Sequence, residues 1–190
     1  MRLLSAILLA LALFACDRGE EPKVLYPAGQ FSLTDQSGAR FGTEELRGKT
    51  WIAAFFFTRC PTVCPKITKR MKELQATAKA KRVPVHFVSI SVDPENDTPP
   101  VLTEYAQKNQ LDTGSWTLLT GDYDTVKKTV LEGFKVALEG KADSSAEDYG
   151  IMHGSHLLLV DKNGQIRGYY KTSEDHDMKM ILVHARAIGK

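Results

Sequence analysis

The sequence predicts an α/β sandwich on one central sheet, and three observations predict it. From about residue 30 onward, short apolar runs alternate with amphipathic stretches of helix length. The first long run, Trp51 to Phe57, is apolar throughout, as a strand covered on both faces must be. The chain has 190 residues, 43% hydrophobic and 25% charged, which is enough to bury one proper core. Strands that alternate with helices call for a largely parallel sheet, because each crossover returns the chain in the same direction.

The elements follow in order. Phe31-Ser32-Leu33 and Phe41 flank a turn at Gln36-Ser37-Gly38, a small hairpin. After the strand at Trp51 to Phe57, Cys64, Ile67, Met71, Leu74 and Ala78 recur at three- and four-residue spacing, one stripe of a helix. Val85 to Val92 is the next strand. Asp97 or Thr98 then caps a helix with Pro99 and Pro100 in its first turn and Val101, Leu102, Tyr105 and Ala106 on its buried side. Trp116 to Leu119 reads as a strand, and Val126, Val130 and Leu131 mark another helix. Leu157 to Val160 and Ile166 to Tyr170 form a hairpin around Asp161-Lys162-Asn163-Gly164. A last helix begins near Ser173, with Glu174 and Asp175 in its first turn, and buries Met178, Ile181, Leu182 and Ala185. This order is that of a thioredoxin-like sandwich: a mixed, mostly parallel central sheet flanked by helices, with an N-terminal hairpin. Open sheets of this kind carry their sites at the carboxyl ends of the strands.

Composition excludes several functions. A formal charge of +2 and the lack of a basic stripe leave no drive for nucleic-acid binding. Three cysteines are too few for a disulfide scaffold, and their odd number needs a reason. The amino end supplies one. Arg2 precedes an apolar run from Leu3 to Ala15, 13 residues long, where a spanning helix needs about 20. The run ends Leu13-Phe14-Ala15-Cys16, which resembles a bacterial lipobox whose cysteine is lipidated. The other reading is an ordinary cleaved signal with a stray cysteine. On the lipobox reading, residues 1–15 are a signal peptide, 16–29 a lipid-anchored tether and 30–190 the domain. The expected location is the bacterial cytoplasmic membrane, with the domain facing the periplasm or exterior. Thiols there face oxidation, so a retained pair needs a purpose.

That pair lies in Thr58-Arg59-Cys60-Pro61-Thr62-Val63-Cys64-Pro65, between a buried strand and a helix. Residues four apart at a helix start share one face, so the sulfurs can form a disulfide or converge on a metal ion. The helix amino end and Arg59 favour thiolates. The inert alternative makes Cys64 a small core residue and Cys60 a loop thiol. Asp93, Glu95 and Asp97 lack the pattern of a calcium loop and are read as capping and turn residues. Met152, Met178 and Met180 are read as core residues rather than as a sulfur relay with His176.

The segment FFFTRCPTVCP resembles the Sco/SenC family, copper proteins that serve cytochrome oxidase assembly. Three further blocks match in order: Val88 to Pro99, Trp116 to Gly121, and His153 running to Gly164. Thr62 stands where many members carry an acidic residue between the cysteines. Spacing alone does not choose between His153 and His156, which point to opposite faces of an extended segment. The family places its ligand histidine eleven residues ahead of a turn glycine, the relation His153 bears to Gly164. His86 and His184 are read as structural or surface residues. The resemblance thus implies a copper site of Cys60, Cys64 and His153, and two thiolates with one imidazole suit Cu(I) and can hold Cu(II).

The function implied is delivery of copper to the binuclear site in the copper-site subunit of a respiratory oxidase. A copper donor protein and a thioredoxin-like reductant are implied as further partners, with the membrane reached through the lipid anchor. The alternative is a thiol-disulfide oxidoreductase in which Cys60 and Cys64 are the catalytic redox pair, Cys60 is the nucleophile, and the oxidase's cysteines are reduced before metallation. A copper or redox sensor is a third reading. Ordinary thioredoxins place a cis-proline opposite their cysteines. This chain has eight prolines and none beyond Pro100, with Met152-His153 at the equivalent place, which favours metal handling.

Overall fold

The computed structural model describes residues 20–136 and 155–189. The two aromatic-rich strands at its centre explain the rest of the architecture. Strand β4 (Trp51–Phe56) is buried at every position, and β5 (His86–Ser91) is buried at all but its first residue. Each therefore needs a strand on both edges and cover on both faces. The sheet that satisfies this has eight strands in the order β1-β8-β7-β4-β5-β6-β2-β3, where β1 is Tyr26–Pro27, β2 Ser32–Asp35, β3 Arg40–Gly42, β6 Trp116–Thr120, β7 His156–Val160 and β8 Gln165–Lys171.

Only the pairs β4/β5 and β5/β6 are parallel; the pairs β4/β7, β7/β8, β1/β8, β2/β6 and β2/β3 are antiparallel. The sheet is mixed as expected, but its parallel part is limited to the central three strands. Both hairpins add antiparallel strands, and β7 enters beside β4 in the opposite direction. β1 was not anticipated in the sequence. It forms because Leu25 donates its amide to the Ile166 carbonyl and Tyr26 sits opposite Ile166. Gly29 lies against Gly133, where a Cβ would meet the Gly133 Cα at 2.6 Å, and its amide donates to the Gly133 carbonyl. The described part of the expected tether, residues 20–29, therefore lies along the domain.

Helix α1 (Val63–Ala80) buries the anticipated stripe of Cys64, Ile67, Met71, Leu74 and Ala78. Met71 is fully covered, and its truncation to alanine would cost about 2–5 kcal/mol. Helix α2 (Pro99–Lys108) buries Leu102 and Ala106. Helix α3 (Tyr123–Lys128) is capped by Asp122, which accepts from the Thr125 amide, and runs into a π-turn over Thr129–Gly133. Helix α4 (Asp175–Ile188) starts two residues later than the sequence suggested, so Glu174 takes the cap position and Asp175 and Asp177 fill the first turn. Phe31, Trp51, Phe55 and Phe134 pack edge-on or tilted against one another on one side of the sheet. On the other side Phe56 meets Tyr105 of α2, and Trp116 donates its indole N–H to Ser89. This rigid base presents the β4–α1 connection at the carboxyl end of the parallel strands.

Candidate metal centre

β4 ends at Phe56 and the chain turns at once into α1. The Cys60 amide donates to the Phe57 carbonyl at 3.3 Å, which closes the turn. The Phe57 amide donates to Cys64 Sγ at 3.4 Å, and the Cys64 amide donates to Cys60 Sγ at 3.4 Å. Pro65 sits in the first turn of α1, where its missing N–H has no intrahelical acceptor to lose. The two thiols are in hydrogen-bond contact with each other and are not joined in a disulfide.

The pair is asymmetric. Burial pushes the Cys60 thiol up, but the amides of Cys64, Thr62 and Val63 and the Cys64 thiol outweigh it and hold Cys60 below its ordinary value. Those amides are the partial positive end of α1. Cys64 is 1% exposed against 7% for Cys60. Burial drives the Cys64 thiol far up, and the charges of Cys60 and Asp97 add to that, against only the Phe57 amide. Cys60 gives up its proton more readily than Cys64 does.

Two carboxylates brace this loop from beyond β5. The Arg59 guanidinium meets Asp93 Oδ2 at 2.8 Å, so the Arg59 charge is shared with Asp93 rather than directed only at the thiols. Asp93 also accepts from Asn96 Nδ2 at 2.8 Å. Asp97 is fully buried and accepts from the Thr58 amide at 3.0 Å, from the Thr58 hydroxyl and from the Ser91 hydroxyl. Burial raises the Asp97 carboxyl, those three bonds lower it, and the Asp93 charge raises it further. The turn expected at Asp93 to Asp97 is present, with the amides of Asn96 and Asp97 donating to the Asp93 carbonyl. The expected side-chain cap is not: Thr98 takes the cap position of α2 without a side-chain bond, and Asp97 turns inward to the cysteine loop. Glu95 is exposed. Sequence reading missed this bracing, and the only signal for it was two acids directly after a strand with no face of their own.

Tyr105 was read only as a buried helix residue. Its hydroxyl lies 2.7 Å from Thr68 Oγ1, and it is pushed up to about 12 by burial and, against the Thr68 bond, by the nearby Cys64, Asp97 and Cys60 charges. His86 bonds Thr117 through Nε2 and stacks on Phe41 at the opposite end of β5, which bears out its structural reading. His184 accepts or donates at Tyr170, 2.6 Å away. His156 is half-buried at the start of β7, opposite Lys171. His153, Met152 and Cys16 lie outside the described residues. Among the described residues no three of His, Cys, Asp or Glu converge on one point, so these residues contribute two of the three expected donors.

The SCO1/SenC family model matches residues 20–187. The chain belongs to the SCO1/SenC family. Among solved Sco structures, a SCO1/SenC family lipoprotein from Bacillus anthracis is 34% identical, covers 90% of this chain and 100% of its own, and superposes with a TM-score of 0.81. BsSco, described as having a disulfide switch and as a member of the Sco family of cytochrome c oxidase assembly proteins, is 32% identical over 90% of this chain and 99% of its own, with a TM-score of 0.79. Yeast Sco1 with copper bound is 26% identical, covers 86% of this chain and 90% of its own, and has a TM-score of 0.74. The thioredoxin-like fold expected from the sequence is thus the Sco fold. Relatives in this family handle copper and take part in cytochrome oxidase assembly.

Proposed function

We propose that this protein binds copper through Cys60, Cys64 and His153 and delivers it to the binuclear copper site of cytochrome c oxidase. The observation that carries the reading is the asymmetric thiol pair at the amino end of α1, with Cys60 held low and Cys64 held high. A soft ion meets the Cys60 thiolate first. Cys64 loses its proton as the ion arrives, so loading releases protons and tightens as pH rises. Two thiolates and an imidazole are a low-coordination set that leaves room for an incoming ligand, which handing over the ion requires.

His153 stands three residues before His156, the first residue of β7, and β7 opens at the sheet end where β4 closes. A span of three residues covers at most about 10 Å. Copper bound to yeast Sco1 supports the same cargo here. Anchoring through Cys16, outside the cytoplasm, is part of the proposal, supported by the Bacillus anthracis relative described as a lipoprotein. Among the described residues no helix is long and apolar enough to cross a membrane.

The same asymmetry favours a second reading. Cys60 thiolate attacks a disulfide of the oxidase subunit and forms a mixed disulfide; Cys64 displaces it, leaving the partner with two thiols and this protein with Cys60–Cys64 oxidised. A thioredoxin-like dithiol would then restore the pair. The test is Cu(I) affinity of the reduced chain by competition with a chromophoric chelator. One tightly held ion, lost in Cys60→Ser, Cys64→Ser and His153→Ala, is the outcome expected. Weak binding indifferent to His153→Ala would favour the reductase. Affinity that survives His153→Ala and is abolished by His156→Ala would move the ligand to His156.

A further inference from the structure

The segment that leads to the anchor leaves the domain at a fixed place. Arg167, in β8, donates through Nε to the Pro22 carbonyl at 2.8 Å and through Nη2 to Glu21 Oε1 at 2.9 Å, while Nη1 holds Asp161 at 2.8 Å. Its side chain is only 10% exposed. Three residues on, the Leu25 amide donates to the Ile166 carbonyl at 2.9 Å. The chain is therefore fastened along the β8 edge of the sheet before it reaches β1. Glu20 lies beside α4: burial lowers the His184 imidazole, and the Glu20 carboxylate pulls it back up.

Glu20 is four positions beyond Cys16, a reach of at most about 14 Å. What this short leash holds near the anchor is a surface with a particular composition. Among the described residues, the exposed large hydrophobics are Val24, Leu25, Val63 and Val183, and three of these four lie on the elements beside the leash. Tyr26 packs on Tyr169, and Tyr170 of the next register meets His184 on the other side of β8. By strand alternation Leu25 therefore points to the side that carries α4. The outer face of α4 exposes His176, Lys179, Val183 and Arg186 at helical spacing, and Lys23 is exposed next to Val24. Of the nearby acids, Glu21 pairs with Arg167 and Asp175 with Arg70, while Glu20 and Glu174 are exposed.

We propose that Lys23-Val24-Leu25 and the outer face of α4 around Val183 rest on an anionic lipid surface, so that the domain lies against the bilayer in one orientation. This rests on the reading of Cys16 as the lipidated residue. The apolar groups enter the headgroup boundary, and Lys23, Lys179 and Arg186 meet its negative charge. The short leash favours lipid over a protein partner as the occupant, because the face is already held at the membrane at no further cost in tethering entropy.

The experiment uses the full chain, purified from membranes with its anchor and placed in vesicles of phosphatidylethanolamine and phosphatidylglycerol whose acyl chains carry bromine. The native Trp51 and Trp116 are each 1% exposed and give a constant background. A Val183→Trp variant should lose roughly half of its added emission in brominated vesicles, the depth expected of an interfacial helix. A Glu44→Trp variant reports from the turn after β3, the sheet edge farthest from β1, and should be unchanged. The mass of the peptide that begins at Cys16 reads lipidation separately. An acylated chain with unquenched Val183→Trp overturns this proposal and leaves the anchor intact. An unacylated Cys16 overturns the anchor and this proposal together. Equal quenching at both positions, or crosslinking of this face to a protein in native membranes, also overturns it.

Discussion

At the carboxyl end of β4 and β5, Arg59 meets Asp93 at 2.8 Å; at the opposite end of the sheet, Arg167 meets Asp161 at 2.8 Å, and each aspartate is 4% exposed. The surroundings differ. Asp161 also accepts from the amides of Asn163 and Gln165, both at 2.9 Å, so its charge is fully used in closing the β7–β8 turn. At the cysteine end a second carboxylate, Asp97, lies behind the first, with hydroxyl and amide donors but, among the described residues, no cation of its own. Charge is balanced where the fold needs a turn and left in excess where the thiols are. The excess costs stability and adds to the burial that already holds the Cys64 thiol up.

The largest effect should come from breaking the balanced end. Asp161→Ala leaves Arg167 nearly buried without its carboxylate and two turn amides without an acceptor, and should cost about 3 kcal/mol in urea unfolding. Asp93→Ala should cost less, about 1–2 kcal/mol, because Arg59 is 35% exposed and can turn to water. If Asp93→Ala costs more than Asp161→Ala, the contrast between the two ends is wrong.

His86 sharpens the contrast from the pH side. Burial lowers it to about 4, helped by the Lys49 charge. A histidine whose folded value lies below its unfolded value of about 6.5 resists protonation in the folded state. The stability it confers is present above pH 6.5 and falls away as pH drops toward 4, by at most about 3 kcal/mol. His86→Gln, which keeps a partner for Thr117, should flatten the stability profile between those pH values. A profile as steep as the unsubstituted protein's would place the proton uptake elsewhere.

Much of this contrast was legible in the sequence at one end only. Asp161-Lys162-Asn163-Gly164 announces its turn because an aspartate two residues before an asparagine binds local amides, and Gly164 takes the positive φ of 75° that the turn requires. The cysteine stripe of α1 was legible for the same local reason, a period of 3.6 residues. The bracing at the other end is not local. Thr58 and Asp97 are 39 residues apart, and Arg59 and Asp93 are 34 apart, so no window along the chain brings them together. Tyr26–Pro27 was hidden because two residues carry no period, and only the open edge of β8 makes them a strand. The pairing of β7 with β4 was likewise beyond reach, which is why the sheet is less parallel than its element order implied.

The smallest effect on stability, and the one that isolates function, should come from Asp97→Asn. Burial raises the Asp97 carboxyl above its unfolded value. Such a group binds its proton more tightly folded than unfolded, so the protein gains stability as pH falls through the raised value, and the gain is complete near pH 3.9. Asparagine keeps an acceptor for the Thr58 amide and removes the charge, so unfolding at pH 7 should stay within about 1 kcal/mol of the unsubstituted protein, and the gain on acidification should vanish. The thiols should respond more than the fold does. Cys64 loses one of the charges that hold its proton, and its alkylation, read by mass spectrometry across the alkaline range, should begin at lower pH. Cys60, held low by helix amides and not by Asp97, should alkylate with an unchanged profile. A shift of both cysteines together would mean that Asp97 acts by holding the loop in shape, and that burial and the loop backbone, not the Asp97 charge, set the asymmetry of the pair.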